Sequence, residues 1–171
     1  MAFQKNQILG ISFIVRILFM LVIFYLPIHK NLKIILILAG DFLDCWTTKF
    51  IDYIQDGIHP LHNTHCKEFN YQITDKVVDL LSYLIVMLLL PPNPLYITTI
   101  IFRAVGVGMF YKTRNSHWLI FFPDLFKEVA LFEIFVGTVT PHILLIIIGH
   151  KVIFEYMWHT YVNHRNYKKL I

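Results

Sequence analysis

The stretch KIILILAGDFLD, residues 33–44, decides the fold that the sequence predicts. It begins as an apolar run of the kind that fills a membrane-spanning helix, and it then places Asp41 and Asp44 within the same span. A second pair of carboxylates, Asp75 and Asp79, stands at the head of another apolar run, LLSYLIVMLLL. Charged side chains are costly inside a bilayer, so at such positions they indicate a functional site.

The composition places the chain among membrane proteins. Its 171 residues are 57% hydrophobic and 15% charged, whereas a soluble domain carries roughly 25% charged residues. A bilayer-spanning helix needs about 20 predominantly apolar residues. We therefore predict an all-α integral membrane protein, a single domain over residues 1–171, with six transmembrane helices at about 7–27, 31–54, 73–91, 95–112, 117–136 and 140–160.

The loop charges predict the orientation of this multi-pass bundle. Six spans put both termini on one face together with the loops 55–72 and 113–116, and the opposite face carries only Lys30 and Lys33. Basic residues favour the cytoplasmic face, and anionic lipid there accounts for the net charge of +4 without a nucleic-acid partner. The first face is therefore predicted to be cytoplasmic, since it holds Lys5, Lys49, Lys67, Lys76, Lys112, Arg114, Arg165, Lys168 and Lys169.

Most charges within the predicted spans fall in the cytoplasmic half of the bundle. The other half reads as almost purely apolar, and Arg16 and Arg103 lie near the middle of their spans. This asymmetry predicts a polar cavity open to the cytoplasm. The charges that converge there are Asp41, Asp44, Lys49, Asp75, Asp79, Asp124, Lys127, Glu128, Lys151 and Glu155.

The spacing of the carboxylates points to a metal ion. Asp41 and Asp44 are separated by three residues and Asp75 and Asp79 by four, so each pair lies on one face of its helix. Two such pairs at a similar depth would repel unless a cation lay between them. Oxygen ligands suit magnesium, manganese or calcium, and magnesium is usually bound together with substrate phosphates. The alternative is that each aspartate is solvated among the lipid headgroups at a helix end.

The pattern resembles the CDP-alcohol phosphatidyltransferase family, whose motif reads D-x2-D-G-x2-A-R and then G-x3-D-x3-D. The first half is similar to DFLDCWTTK, where Asp41 and Asp44 match the two aspartates. Cys45, Thr48 and Lys49 stand at the glycine, alanine and arginine positions.

The second half of the motif is similar to YQITDKVVD, with Asp75 and Asp79 on the aspartates and Tyr71 on the glycine. The spacer between the halves is longer than the family's usual one. An alternative register makes Asp75 the fourth aspartate and puts Tyr71 at the third. We prefer the register that keeps four aspartates.

The resemblance implies a six-helix bundle with a two-metal centre of Mg²⁺ or Mn²⁺ that bridges the CDP pyrophosphate. It makes Asp79 the catalytic base for the acceptor hydroxyl as well as a ligand. The implied metal ligands are Asp41, Asp44, Asp75 and Asp79, and the implied nucleotide-binding residues are Asp41, Asp44, Cys45, Thr48 and Lys49.

The implied activity is that of a transferase of phospholipid biosynthesis. It would move a phosphatidyl or phospho-alcohol group from a CDP-linked donor, CDP-diacylglycerol or a CDP-amino-alcohol, to an alcohol acceptor and release CMP. A homodimer is expected by the same resemblance. The segment IIFRAVGVG resembles a fourth helix whose arginine faces the acceptor, so Arg103 and Lys127 are expected to bind acceptor or phosphate. The alternative for Arg103 is a structural partner such as Asp124 or Glu128.

Three other interpretations stay open. A diverged relative could have kept the fold and act as a binding or scaffold protein, which Cys45 and Lys49 favour. Intramembrane charges also mark small transporters, although a pathway needs polar residues in both halves of the bilayer. The loop segment HPLHNTHC, residues 59–66, offers His and Cys side chains for zinc, but its spacing fits no familiar site and a solvated loop bordering the active-site mouth is expected.

Overall fold

The computed structural model of the chain describes residues 5–40, 43, 47, 50, 69–115 and 117–157. These residues form helices and no strand, which confirms the predicted all-α class. The chain divides into two compact units, Met1–Pro91 and Pro92–Ile171. The single domain stays a prediction, and each unit is described by itself.

In the described part of the first unit, α1 (Lys5–Tyr25), α2 (Lys30–Ala39) and α3 (Phe69–Met87) contact one another pairwise. α1 and α2 begin close to the predicted first and second spans. α3 begins and ends four residues before the predicted third span of 73–91. The apolar core of this unit consists of Phe13, Met20, Ile23, Ile34, Ile37, Leu38, Tyr71, Val78, Tyr83 and Val86.

The turn between α1 and α2 is closed by polar side chains at both helix ends. Lys33 Nζ donates to the carbonyl oxygen of Phe24 at 2.7 Å, and the Nδ1 atom of His29 accepts from the Asn31 amide at 3.3 Å. The last carbonyls and first amides of a helix have no partner within it, so such contacts satisfy them. These contacts stabilise the tight turn after which α2 runs antiparallel to α1.

The second unit contains α4 (Pro94–Thr113), α5 (His117–Phe121), α6 (Phe126–Phe135) and α7 (Pro141–Met157). α4 begins where Asn93 caps it by accepting from the Leu95 amide at 2.9 Å, with Pro94 in the first turn. It ends at Arg114, which has a φ of 55° and donates its amide to the Phe110 carbonyl at 2.8 Å. The buried apolar residues are Tyr96, Val107, Phe110, Leu119, Ile120, Leu125, Phe126, Val129 and Ala130.

The predicted fifth span, 117–136, is not one helix. α5 ends at Phe121 and α6 begins at Phe126, with the segment FPDL between them outside any helix. Pro123 explains the break, because a proline disfavours helical geometry at the residue before it and has no amide hydrogen to donate. The continuous span over these residues was therefore a wrong prediction.

Polar side chains are buried inside both units while large apolar side chains cover their outsides. Ile14, Leu18 and Val22 form an outward stripe on α1 at 58%, 56% and 58% exposure, and α4 carries a similar stripe at residues 97, 101 and 105. A monomeric soluble protein rarely exposes such contiguous apolar surface. The buried polar and charged residues are Ser12, Arg16, Asp79, Ser82, Thr99, Arg103 and Asp124.

Within the described residues, one helix is long and apolar enough to cross a membrane, and it is α4. In α1, the apolar segment Gly10–Tyr25 is shorter than this. Membrane insertion of the whole chain, the six-span topology and its orientation stay predictions.

Candidate functional site

The third helix places two of the four predicted metal ligands side by side. Asp75 and Asp79 are one turn apart on α3, so both project from the same face of that helix. The side chain of Asp79 is 1% exposed and that of Asp75 is 14% exposed. This part of the predicted site is therefore inside the first unit and not at a solvated helix end.

A buried arginine of α1 joins the two carboxylates. Arg16 is fully buried. Its Nη1 atom donates to Asp75 Oδ1 at 3.1 Å, and its Nη2 atom donates to Asp79 Oδ1 at 2.5 Å. A planar guanidinium has two edges that can each meet a carboxylate. One side chain of α1 thus bridges two aspartates of α3.

Lys76 contacts the remaining oxygen of each aspartate. Its Nζ atom lies 2.5 Å from Asp75 Oδ2 and 3.3 Å from Asp79 Oδ2. All four oxygens of Asp75 and Asp79 therefore contact a cationic nitrogen of Arg16 or Lys76. We call Arg16, Asp75, Lys76 and Asp79 the α1–α3 ion cluster.

The ion cluster contains two side chains of a type that binds divalent cations. Asp75 and Asp79 each direct an oxygen at the Arg16 guanidinium. Carboxylate oxygens are the ligands preferred by Mg²⁺ and Mn²⁺. The described half of the predicted metal centre thus fits such an ion.

The other half of the predicted centre lies outside the described residues. This holds for the predicted ligands Asp41 and Asp44, for Cys45, Thr48 and Lys49, and for the histidine-rich loop 59–66. Gly40 directly precedes Asp41, and a Cβ atom built on it would come 3.5 Å from the ring of Phe19. Phe19 follows Arg16 by three residues on α1, so α2 ends within about one helical turn of the ion cluster.

Tyr71 occupies a buried position one turn before Asp75. It is 7% exposed, and its ring centroid lies 5.7 Å from that of Phe13. A side chain packed in this way serves the core of the first unit. The two registers of the second motif half both remain possible at this point.

An apolar cleft of about 510 Å³ lies along α1 and α3. Ile17, which follows Arg16, lines it on α1, and Leu81, two residues after Asp79, lines it on α3. It continues along the two helices to Met20 and Leu88. Its size is within the usual range for small-molecule sites.

In the second unit, Arg103 supports the break between α5 and α6. It is 2% exposed, and its Nη1 atom donates to the carbonyl oxygens of Phe122 at 2.7 Å and Leu119 at 3.3 Å. Backbone carbonyls at a helix end need partners when they are buried. These contacts give the predicted acceptor-binding arginine a structural role, and its predicted contact with acceptor or phosphate stays a prediction.

Lys127 lies close to a carboxylate of its own segment. Its Nζ atom is 3.8 Å from Asp124 Oδ2, and Lys151 of α7 contacts Glu128 Oε1 at 2.7 Å. The predicted phosphate ligand Lys127 thus pairs with Asp124, while the separate pair of Lys151 and Glu128 links α6 to α7. Binding of acceptor or phosphate by Lys127 stays a prediction.

Glu133 belongs to no motif and is not among the predicted site residues. Its Oε1 atom accepts from Asn93 Nδ2 at 2.9 Å, and its Oε2 atom accepts from the hydroxyl of Tyr96. Tyr96 as a residue is 1% exposed. These contacts join the end of α6 to the start of α4, in the half of the predicted bundle that reads as almost purely apolar. The sequence does contain one sign of its importance. Glu133 is the only Asp, Glu, Lys or Arg between Glu128 and Lys151, so it is a single charge in an otherwise uncharged stretch.

Within the described parts of the chain, no three His, Cys, Asp or Glu side chains are grouped so as to hold a metal ion. Two of the four predicted ligands are absent from those parts. No protein-family model, curated protein or solved structure matches the chain.

Proposed function

We propose that the chain is an integral membrane transferase of the CDP-alcohol phosphatidyltransferase type, dependent on Mg²⁺ or Mn²⁺. It transfers a phosphatidyl or phospho-alcohol group from a CDP-linked donor to an alcohol acceptor and releases CMP. The donor is CDP-diacylglycerol or a CDP-amino-alcohol, and the acceptor is an alcohol. The protein is expected to act as a homodimer with both termini and the active site facing the cytoplasm.

The observation that carries this proposal is the convergence of Asp75 and Asp79 on one cationic group inside the first unit. A buried carboxylate is retained only where its charge is compensated, and here two are held one turn apart. Gly40, which directly precedes the DFLD sequence, lies beside Phe19, one turn after Arg16 on α1. This placement supports one site that uses both halves of the motif.

The chain's own residues have separate tasks in the proposed reaction. The bound metal ions supply charge stabilisation for the pyrophosphate oxygens of the donor. Asp79 accepts the proton of the acceptor hydroxyl, the acceptor oxygen forms a bond to the β-phosphorus, and the bond from that phosphorus to CMP breaks. Asp41, Asp44 and Asp75 hold the metal ions, and Cys45, Thr48 and Lys49 contact the nucleotide.

The apolar cleft supports a donor that carries a lipid tail. Its lining is apolar and comes from the same two helices, α1 and α3, that carry Arg16 and Asp79. An amphipathic donor could place its phosphates at the carboxylates and an acyl chain in this cleft. CDP-diacylglycerol has this form, and it is therefore the donor with which the assay should begin.

The activity test uses the purified full chain with Mn²⁺, CDP-diacylglycerol or a CDP-amino-alcohol, and a panel of alcohol acceptors, with CMP as the measured product. Asp79→Asn is expected to reduce CMP release by at least about 100-fold, because a general base contributes roughly that factor or more. Glu133→Gln is the matched control, since it neutralises a carboxylate of the second unit, and it is expected to retain activity.

Absence of CMP with every donor, in wild-type protein that elutes as a single folded species, would contradict the transferase proposal. Equal activity of the wild-type protein and Asp79→Asn would contradict the assignment of the base.

One observation favours a second candidate, a catalytically diverged relative that binds or scaffolds within the membrane. In the described cluster every oxygen of Asp75 and Asp79 already contacts a protein cation, so both aspartates can serve structure alone. This candidate predicts a folded protein that neither releases CMP nor binds CDP in a metal-dependent manner.

A further inference from the structure

We propose that Arg16 occupies the place of a divalent cation between Asp75 and Asp79 when no metal is bound, and that a metal ion must displace it. The inference rests on the proposed function for the identity of the metal site. It goes further by assigning a role to a residue of α1 that lies outside both halves of the motif.

The position of Arg16 carries the inference. Its two terminal nitrogens meet one oxygen from each aspartate, at 3.1 Å for Asp75 and 2.5 Å for Asp79. Both oxygens belong to predicted ligands, and both contact the same guanidinium. A metal ion that bound these two oxygens would compete with Arg16 for them.

Burial makes this cation necessary in the absence of a metal. Arg16 is fully buried and Asp79 nearly so, and a buried charge without a partner is strongly destabilising. Lys76 is 23% exposed and contacts the Oδ2 atoms of Asp75 and Asp79, so it adds a positive charge on the more exposed side of the cluster. Together they allow α1 and α3 to pack before any metal arrives.

A metal ion and Arg16 cannot both keep these positions. Mg²⁺ binds its oxygen ligands at about 2.0–2.1 Å, which would place a double positive charge within a few ångströms of the guanidinium. Like charges at such a distance repel strongly away from bulk water. Metal binding therefore requires Arg16 to move away from at least one aspartate, and the affinity for the metal is lowered by the ion pairs that are lost.

The test measures Mn²⁺ binding to the purified full chain by electron paramagnetic resonance of the unbound ion, without donor or acceptor. Arg16→Gln is expected to lower the Kd for Mn²⁺ by at least about tenfold, which corresponds to about 1.4 kcal/mol of competition removed. Lys33→Gln is the matched control, because it removes one positive charge from the same unit away from the cluster, and its Kd is expected to equal that of the wild type.

Thermal unfolding supplies a second measurement. In EDTA, Arg16→Gln is expected to unfold at a lower temperature than the wild type, because the aspartates lose their buried cation. Added Mn²⁺ is expected to raise its unfolding temperature more than that of the wild type, since a ligand that binds only the folded state stabilises in proportion to its affinity. Arg16→Lys keeps the charge without the two-edged group, and its Kd is expected to lie between those of the wild type and Arg16→Gln.

The outcomes separate the inference from the proposed function. If the wild type binds Mn²⁺ and both Arg16 variants bind it equally or more weakly, the displacement model is overturned while the metal-dependent transferase stands. If neither the wild type nor any Arg16 variant binds Mn²⁺, both are overturned. If Arg16→Gln does not yield folded protein, a Kd for Arg16→Lys no lower than that of the wild type overturns the model by itself.

Discussion

Arg16 and Glu133 are the two residues whose surroundings change the interpretation of the chain most. Arg16 contacts Asp75 and Asp79, which lie 59 and 63 residues further along the chain. Glu133 contacts Asn93 and Tyr96, which lie 40 and 37 residues before it. Partner choice at such separations depends on how helices pack, which no local pattern encodes. The spacing of Asp75 and Asp79 put them correctly on one face, but it gave no indication of the cation opposite them.

The contact between Tyr96 and Glu133 allows a test at the scale of one hydroxyl group. Tyr96→Phe removes the donor to a carboxylate oxygen and leaves the ring in place. Hydrogen bonds to charged groups contribute about 1.5–3 kcal/mol, so we expect the free energy of unfolding of the variant to fall by about this amount. Chemical denaturation in detergent, followed by circular dichroism, measures it.

Tyr156→Phe is the control for this prediction. Tyr156 belongs to the same unit and is 55% exposed, so loss of its hydroxyl is expected to change the free energy of unfolding by less than about 0.5 kcal/mol. Equal effects of the two substitutions would show that the buried contact with Glu133 contributes nothing beyond the change of residue type.

Among the helices, the break in the predicted fifth span has the largest consequence for the second unit. Mean hydropathy treats the stretch from His117 to Val136 as one apolar run, because Pro123 and Asp124 are too few to lower the average. The backbone responds to Pro123 locally, and the carbonyls released at the break are met by Arg103. A sequence prediction that weighed proline before hydropathy would have found the break, but not the arginine that supports it.

The packing of α4 against the segment before this break depends on a glycine. A Cβ atom built on Gly106 would lie 2.3 Å from the Cβ of Phe122, and neither atom can move without its backbone. We expect Gly106→Ala to lower the free energy of unfolding by about 1–3 kcal/mol, the usual range for an overfilled core. Thermal unfolding in detergent checks this value.

Gly108 provides the comparison on the same helix. Nothing lies within 4 Å of a Cβ atom built there, and alanine is favoured over glycine in a helix by about 1 kcal/mol. Gly108→Ala is therefore expected to leave stability unchanged or to raise it. The close approach at Gly106 would be refuted if the two alanine variants unfolded at the same temperature.

For the molecule as a whole, the sequence predicted the helical class and the positions of most helices. The apolar runs and their polar ends predict α1, α3, α4 and α7 well, because a helix that is to be buried or to span a bilayer needs a long apolar stretch. The site could be predicted only in part, from the one-turn spacing of Asp75 and Asp79. The cation between them and the role of Arg103 required tertiary contacts.

Outward apolar stripes and inward charges lead to a prediction about membrane topology. The chain should remain in the membrane pellet after alkaline carbonate extraction, and a reporter fused to its C-terminus should be cytoplasmic, as the positive-inside rule requires. Green fluorescent protein there is expected to fluoresce, and alkaline phosphatase there is expected to be inactive.

A fusion after His29 is the control, since the turn between α1 and α2 is predicted to be on the opposite face. Alkaline phosphatase at that position is expected to be active. Release of the full chain by carbonate, or activity of both phosphatase fusions, would contradict the six-span arrangement.

The bridge from Arg16 to α3 also sets an order of events during synthesis. Asp75 and Asp79 follow Arg16 by 59 and 63 residues, and at about 5–20 residues per second the interval is roughly 3–13 s. Throughout that time the nascent first hairpin carries its arginine without these two carboxylates. A chain interrupted before Phe69 would lack the two carboxylates of α3 that contact Arg16. We expect cellular quality control to recognise such a chain as incompletely folded.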